Sequence, residues 1–145
     1  MQSNHDDTAL ILASRNGHKD VCELLITRGS KVDMQNKSGD TALIRASLNG
    51  HKEVCELLIT RGSMVDMQNN NDDNALILAS RNGHKEVCEL LITRGSNLDM
   101  QNKSGDTALI RASLNGHKDV CTLLISRGSK VDMQNNNDDT ALILA

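Results

Sequence analysis

Residues 34–66 read MQNKSGDTALIRASLNGHKEVCELLITRGSMVD, and the rest of the chain repeats this stretch with few changes. Self-similarity at one fixed period indicates a repeat array, in which each unit is one supersecondary element. Met-Gln recurs at a strict spacing of 33 residues, at Met1, Met34, Met67, Met100 and Met133. The chain therefore divides into repeats 1–33, 34–66, 67–99 and 100–132 and a partial fifth repeat, 133–145, within a single domain spanning residues 1–145.

A second period of 66 residues is superimposed on the first. Residues 34–66 and 100–132 differ at only four positions, and the repeats that begin at Met1 and Met67 form the other matching pair. Alternate repeats therefore carry different side chains at a few fixed positions, and these positions are candidates for contact with a partner.

The local signals in repeat 34–66 predict two short helices. Thr41 is suited to an N-cap, because its hydroxyl accepts a hydrogen bond from a free N–H of the first turn. Residues 42–48 then form the first helix, which Gly50 ends, and residues 51–61 form the second, which Gly62 ends. The polar residues that follow, rich in Asn and Asp, predict a projecting turn. No single repeat buries its apolar face alone, so stacking of the repeats must supply the core.

These repeated residues resemble the ankyrin repeat family, at that family's own repeat length and over the whole chain. The residues that carry the resemblance are Gly39-Asp40-Thr41-Ala42-Leu43, Ala46-Ser47, Asn49-Gly50-His51, Val54-Cys55, Leu57-Leu58-Ile59 and Gly62-Ser63. The resemblance implies an all-α solenoid of stacked helix–turn–helix units with hairpin-like loops, in which loop tips and first helices line a concave side. It also implies a protein–protein interaction scaffold.

Two departures from the family's pattern concern the helix starts and the turns. Residues 41–44 read Thr-Ala-Leu-Ile where the family favours Thr-Pro-Leu-His, so the first turn loses the fixed backbone angle of proline. In alternate repeats an aspartate such as Asp72 stands where Gly39 occupies the turn. Because Asp tolerates left-handed backbone better than most residues, we expect these turns to persist.

The composition narrows the function classes. The chain has no Phe, Tyr, Trp or Pro, so its core must be aliphatic, which suits thin stacked layers. The net charge of −3, without a basic stripe, argues against a nucleic-acid partner. No apolar run is long enough for membrane insertion, and residues 1–7 are too polar for a signal peptide. We therefore expect a cytoplasmic protein with a protein or peptide partner.

A histidine and a cysteine recur four residues apart on each second helix, as at His51 and Cys55. Residues at this spacing share one helix face, which a thiolate–imidazole nucleophile would require. A catalytic pair needs one tuned cleft, however, whereas this pair appears in every repeat. We interpret each cysteine as a buried small hydrophobe and each histidine as structural.

The cysteines also lack the spacing of a metal site, since they lie 33 residues apart rather than in a close cluster. Stacked helices hold equivalent positions too far apart for a disulfide, and free thiols agree with a reducing compartment. The chain has no glycine-rich phosphate cradle. We expect no catalytic, metal-binding or cofactor-binding residue, and therefore no enzyme.

The first helices carry the most informative variation between repeats. At two positions of the helix, leucine and arginine alternate along the stack, which predicts a groove that offers apolar contact and bidentate recognition of carboxylates. The alternative is a solvated face on which alternation merely keeps arginines apart and lets their stems cover leucine. Loop-tip residues and an acidic row adjoin these positions. The predicted partner-binding residues are Asp7, Arg15, Lys37, Asp40, Arg45, Leu48, Asn71, Asp73, Leu78, Arg81, Lys103, Asp106, Arg111 and Leu114.

Neither end of the array carries the polar outer face that usually caps a solenoid. The last repeat stops within a first helix, and we expect residues 142–144 to be exposed. This pattern favours a piece of a longer array. The alternatives are end-to-end self-association, which produces an open head-to-tail assembly because nothing closes it, and a structural spacer in a larger protein.

Overall fold

The computed structural model describes residues 6–144, and within this range the regular structure is helical, with turns and no strand. Each repeat contributes a short first helix and a longer second helix. In chain order the helices are α1 (Ala9–Arg15), α2 (Lys19–Thr27), α3 (Ala42–Leu48), α4 (Lys52–Thr60), α5 (Ala75–Arg81), α6 (Lys85–Thr93), α7 (Ala108–Leu114), α8 (Lys118–Ser126) and α9 (Ala141–Leu144). The predicted all-α solenoid of stacked helix–turn–helix units is confirmed.

The first helices begin and end where the sequence predicts. In α3, Thr41 Oγ1 accepts a hydrogen bond from Ile44 N at 3.1 Å. In α5 an asparagine takes the same role, since Asn74 Oδ1 accepts from Ile77 N at 2.8 Å. Side-chain capping of this kind satisfies an N–H group that no residue of the helix can reach.

The second helix α4 is one residue shorter at each end than the predicted range 51–61. His51 has a non-helical backbone, with φ −90° and ψ 82°, and Arg61 is the C-cap. The cause is local, because His18 in the first repeat has nearly the same backbone, with φ −89° and ψ 78°, although its ring has, in the described part of the chain, no bond of the kind that His51 makes to the preceding repeat.

Stacking of equivalent helices builds the core. Each complete first helix contacts the second helix of its own repeat and the first helices of the adjacent repeats, and second helices contact second helices. Every layer buries a few aliphatic side chains almost completely, for example Leu43, Ile44 and Leu58 in the second repeat. Burial of each such side chain contributes about 1.5–3 kcal/mol, so thin layers suffice without aromatic residues.

The predicted left-handed aspartates are confirmed in the turns between repeats. Asp6, Asp72 and Asp138 have φ angles of 56°, 59° and 62°, and Gly39 and Gly105 have φ 79° and 78° at the same position. Aspartate is among the few residues with a side chain that adopt this region readily, so the turn keeps one shape in all repeats.

The last described repeat leaves an apolar face open. Leu142 and Ile143 are 84% and 66% exposed, as predicted for this segment, while the side chain of residue 144 lies outside the described part. Beside them lies a cavity of about 450 Å³. Its apolar lining includes Leu109, Cys121, Ile125, Val131 and Leu142.

Candidate partner-binding surface

The alternating leucine and arginine residues form two rows across the stack, because α1, α3, α5 and α7 lie side by side. Each row is named after the position that its residues occupy in the first helix of their repeat. The position-four row consists of Leu12, Arg45, Leu78 and Arg111. The position-seven row consists of Arg15, Leu48, Arg81 and Leu114.

The arginines of the position-four row are paired within their own repeats. Arg45 Nη1 donates to Asp40 Oδ2 at 3.1 Å, and Arg111 Nη1 donates to Asp106 Oδ2 at 3.2 Å. Asp40 and Asp106 are only 6% and 5% exposed, so each pair is partly withdrawn from solvent. These two arginines are therefore occupied by carboxylates of the protein itself.

The arginines of the position-seven row are not paired in this way. Among residues 6–144, no carboxylate lies within salt-bridge distance of Arg15 or Arg81, and both side chains are partly exposed. The one hydrogen bond of an Arg81 side-chain nitrogen runs from Nε to Asn82 Oδ1, at a long 3.4 Å. Both guanidinium groups therefore retain donors for an external acceptor.

The backbone of the position-seven row is held by the following repeat. Arg15 O accepts from Asn49 Nδ2 at 3.0 Å and lies 2.9 Å from His51 Nε2, which must donate because a carbonyl only accepts. The same pair of bonds holds Leu48 O and Arg81 O. These contacts fix where each side chain of the row leaves the backbone.

The leucines of the two rows differ in accessibility. Leu78 is only 5% exposed, whereas Leu114 is 51% exposed and Leu48 is half-buried. Leu78 lies between the helices that carry Arg45 and Arg111, as Leu48 lies between those that carry Arg15 and Arg81, so flanking arginines alone do not explain the difference. Leu12, the other leucine of the position-four row, is half-buried like Leu48, so Leu78 is the covered leucine of the two rows.

The predicted acidic row lies under the surface and joins adjacent repeats. Asp7, Asp40, Asp73 and Asp106 are all buried. Each Oδ1 accepts a hydrogen bond from an asparagine Nδ2 of the following repeat. The four distances are 2.7 Å from Asn36 to Asp7, 2.9 Å from Asn69 to Asp40, 2.8 Å from Asn102 to Asp73 and 2.9 Å from Asn135 to Asp106. A role of these carboxylates in partner contact stays a prediction.

Sequence reasoning missed the asparagines of this ladder. Besides its donated bond, Asn69 Oδ1 accepts from the backbone N–H groups of Asn71 and Asp73, at 2.9 and 3.0 Å. One side chain thus shapes its own loop and binds the repeat before it. The signal was present, since asparagine occupies this position in repeats two to five, but the pattern does not reveal the partner.

Contacts between the loop tips of adjacent repeats explain part of the 66-residue period. At Gly39 a Cβ atom would lie 2.6 Å from Asn70 Oδ1, so that only glycine fits beside this asparagine. Asn70 Nδ2 in turn donates to Lys37 O at 2.7 Å. Where the turn residue is Asp6, a lysine faces it instead, with Lys37 Nζ 3.7 Å from Asp6 Oδ2. Glycine–asparagine and aspartate–lysine pairs alternate in the sequence, and within residues 6–144 the ion pair itself is present at Asp6 and Lys37.

Of the predicted loop-tip residues, Lys37, Asn71 and Lys103 are exposed. Lys103 and Asn71 lie in adjacent repeats and are joined by a backbone hydrogen bond, from Lys103 N to Asn71 O at 3.0 Å. The structure thus places these side chains at the surface and fixes their backbone, as it does for the position-seven row.

In the second repeat the histidine and the cysteine of the pair have separate partners. His51 bonds the preceding repeat, and Cys55 Sγ lies 3.4 Å from Ser47 Oγ inside its own repeat. Burial raises the pKa of the Cys55 thiol from 9.0 to about 11, and it raises that of Cys88 equally. A protonated thiol is a poor nucleophile, so the structural interpretation of both residues agrees with the contacts.

Neither a membrane span nor a metal cluster occurs in the part of the chain that the structure describes. No helix there is long and apolar enough to cross a bilayer. No group of three or more His, Cys, Asp or Glu side chains is arranged there to hold a metal ion.

A family model described as ankyrin repeats (3 copies) matches residues 1–71 and 76–145. The two ranges together leave out only residues 72–75, in the turn and capping segment of the third repeat. No curated protein matches the chain. The matched family is the one that the repeated residues resembled at the level of sequence.

Proposed function

Because the chain belongs to the ankyrin repeat family, whose repeats are generally protein–protein interaction modules, we propose that it is a scaffold that presents the position-seven row to a protein or peptide partner. One observation carries the proposal. The arginines of this row have no carboxylate partner among the described residues, although the equivalent arginines of the position-four row do.

The surroundings of the row support the same surface. Leu48, which is half-buried, places accessible apolar area between the two arginines. Lys37, Asn71 and Lys103 are exposed at the loop tips. Since the chain has no Trp or Tyr, which dominate many interface hot spots, the affinity must come from several repeats acting together.

We infer the cellular location and the class of partner from the cysteines and the charges. Four free cysteines support a reducing, cytoplasmic location. The net charge of −3 and the neutralisation of Arg45 and Arg111 by aspartates support a protein partner rather than a nucleic acid. The scaffold acts by binding, without catalysis or cofactor.

Affinity capture from cell extract tests the proposed surface. The parent chain is compared with a variant that carries Arg15→Glu, Leu48→Gln, Arg81→Glu and Leu114→Gln. The control is Arg28→Gln with Arg94→Gln, which removes two exposed arginines of the same repeats from the ends of the second helices.

A protein retained by the parent and the control, and lost from an equally helical row variant, supports the proposal. Retention of the same proteins by all three chains contradicts it, because the position-seven row would then contribute nothing to binding. In that case a structural spacer would be the better description.

End-to-end self-association is a second candidate, and the cavity of about 450 Å³ on the fourth repeat favours it. In the other repeats a second helix covers this face, whereas here, within residues 6–144, only α9 follows α8 and it packs against α7, so the fitting occupant is a second helix of another copy. Sedimentation at increasing concentration tests it, with Ile125→Glu, in the cavity lining, as the variant. A parent that stays monomeric at the highest concentration excludes head-to-tail assembly.

A further inference from the structure

The position-seven row presents two arginines that have no carboxylate partner among residues 6–144, on backbone positions that the next repeat holds. Arg15 and Arg81 lie two repeats apart, and the carbonyl of each is held by an asparagine and a histidine of the next repeat. A guanidinium binds a carboxylate through two parallel hydrogen bonds. The row therefore fits a ligand that carries two carboxylates at a matching distance.

The spacing between repeats selects the conformation of such a ligand. Packed helices lie about 8–10 Å apart, so the two arginine positions are separated by roughly 16–20 Å. A polyproline II segment rises about 3.1 Å per residue with three residues per turn. Every third residue then faces the same side at intervals of about 9 Å, which equals one repeat.

The leucines of the row extend the match. Leu48 lies one repeat from each arginine, and Leu114 lies one repeat beyond Arg81. When a polyproline II ligand binds Arg15 and Arg81 through two carboxylates, the residue midway between its two acidic residues lies against Leu48. A β-strand alternates faces at every residue, so it would turn this residue away when the carboxylates face the protein.

We propose, resting on the function proposed above, that the partner contributes a polyproline II segment in which acidic and apolar residues alternate at every third position. Its acidic residues, six apart, bind Arg15 and Arg81, and an apolar residue midway contacts Leu48. Arg45 and Arg111 remain bound to Asp40 and Asp106 and take no ligand carboxylate.

Synthetic peptides test this pattern directly. The aligned peptide has the thirteen-residue sequence Leu-x-x-Asp-x-x-Leu-x-x-Asp-x-x-Leu, with Pro and Ser at the positions marked x, and it reads the same in both chain directions. The shifted peptide has the same composition, with the second Asp moved by one residue and so turned a third of a turn off the face. Fluorescence anisotropy measures the binding of each to the parent, to Arg15→Gln with Arg81→Gln, and to the Arg28→Gln, Arg94→Gln control.

We expect the aligned peptide to bind the parent and the control equally, and on the order of tenfold more weakly to the Arg15→Gln, Arg81→Gln variant. The shifted peptide is expected to lose a similar factor on the parent, and added salt to weaken the aligned complex. Equal binding of aligned and shifted peptides, or no effect of the two substitutions, overturns the inference.

The two experiments together separate failure of the polyproline II pattern from failure of the scaffold function. A partner whose capture from cell extract depends on the position-seven row, together with no binding of the aligned peptide, overturns the polyproline II pattern and leaves the scaffold function in place. Loss of both results removes the position-seven row as a binding surface.

Discussion

Asn69 is partly exposed, but its replacement with alanine should strongly weaken the contact between the second and third repeats. The side chain donates to Asp40 Oδ1 at 2.9 Å and accepts from Asn71 N and Asp73 N at 2.9 and 3.0 Å. A hydrogen bond to a charged group contributes about 1.5–3 kcal/mol and a neutral one about 0.5–1.5 kcal/mol. The Asn71 N–H can bond water instead, so we expect the free energy of unfolding to fall by about 3 kcal/mol.

Urea denaturation followed by circular dichroism measures this loss, and Asn71→Ala is the matched control. Asn71 lies in the same loop, is exposed, and its side chain makes no hydrogen bond within residues 6–144. We expect the control to change the free energy of unfolding by less than about 0.5 kcal/mol. If Asn69→Ala costs no more than its control, the ladder does not couple the repeats and the reasoning is refuted.

Three further predictions concern the other contacts between repeats and the buried thiols. His84→Ala removes the bond to the preceding repeat and should lower the free energy of unfolding by about 1–2 kcal/mol. The control is His18→Ala, which should be nearly neutral because the ring of His18 makes no hydrogen bond in the described part of the chain. Equal urea midpoints of the two variants would contradict this prediction. Gly39→Asp should cost about 2 kcal/mol, because its Cβ would meet the asparagine of the next loop. Asp72→Gly, at φ 59°, should instead leave stability unchanged or higher, and the same urea midpoints decide both. Burial raises the pKa of Cys55 from 9.0 to about 11, so the contribution of the protonated thiol to stability is present below pH 9 and is lost as the pH rises through about 11. Cys55→Ala should therefore lose less stability than the parent between these pH values. Parallel pH profiles of the free energy of unfolding would contradict a raised pKa of Cys55.

Most of the fold followed from local signals in the sequence. The cap at Thr41 and the helix at residues 42–48 depend only on nearby residues, and the structure has both where they were predicted. The left-handed turn at Asp72 followed from comparison with Gly39 one repeat earlier. The second helix was predicted one residue too long at each end, because His51 and Arg61 are its N-cap and C-cap and lie just outside the helix.

The candidate surface was predicted less completely, since identical residue types behave differently in different places. The sequence placed Arg15 and Arg45 in one set, but only Arg45 has an aspartate of its own repeat within reach. It placed Asp40 at the surface, where the structure shows a buried acceptor for Asn69.

The 33-residue period, the short helices and the aliphatic layers are therefore properties of the sequence alone, because each depends on residues adjacent in the chain or on their recurrence. Which arginine is paired, which leucine is covered and which turn requires glycine were decided only by the tertiary structure. These properties depend on the side chain that the next repeat places opposite, about 33 residues away. The periodic sequence predicts that adjacent repeats pack together, and only the tertiary structure shows which atoms are in contact.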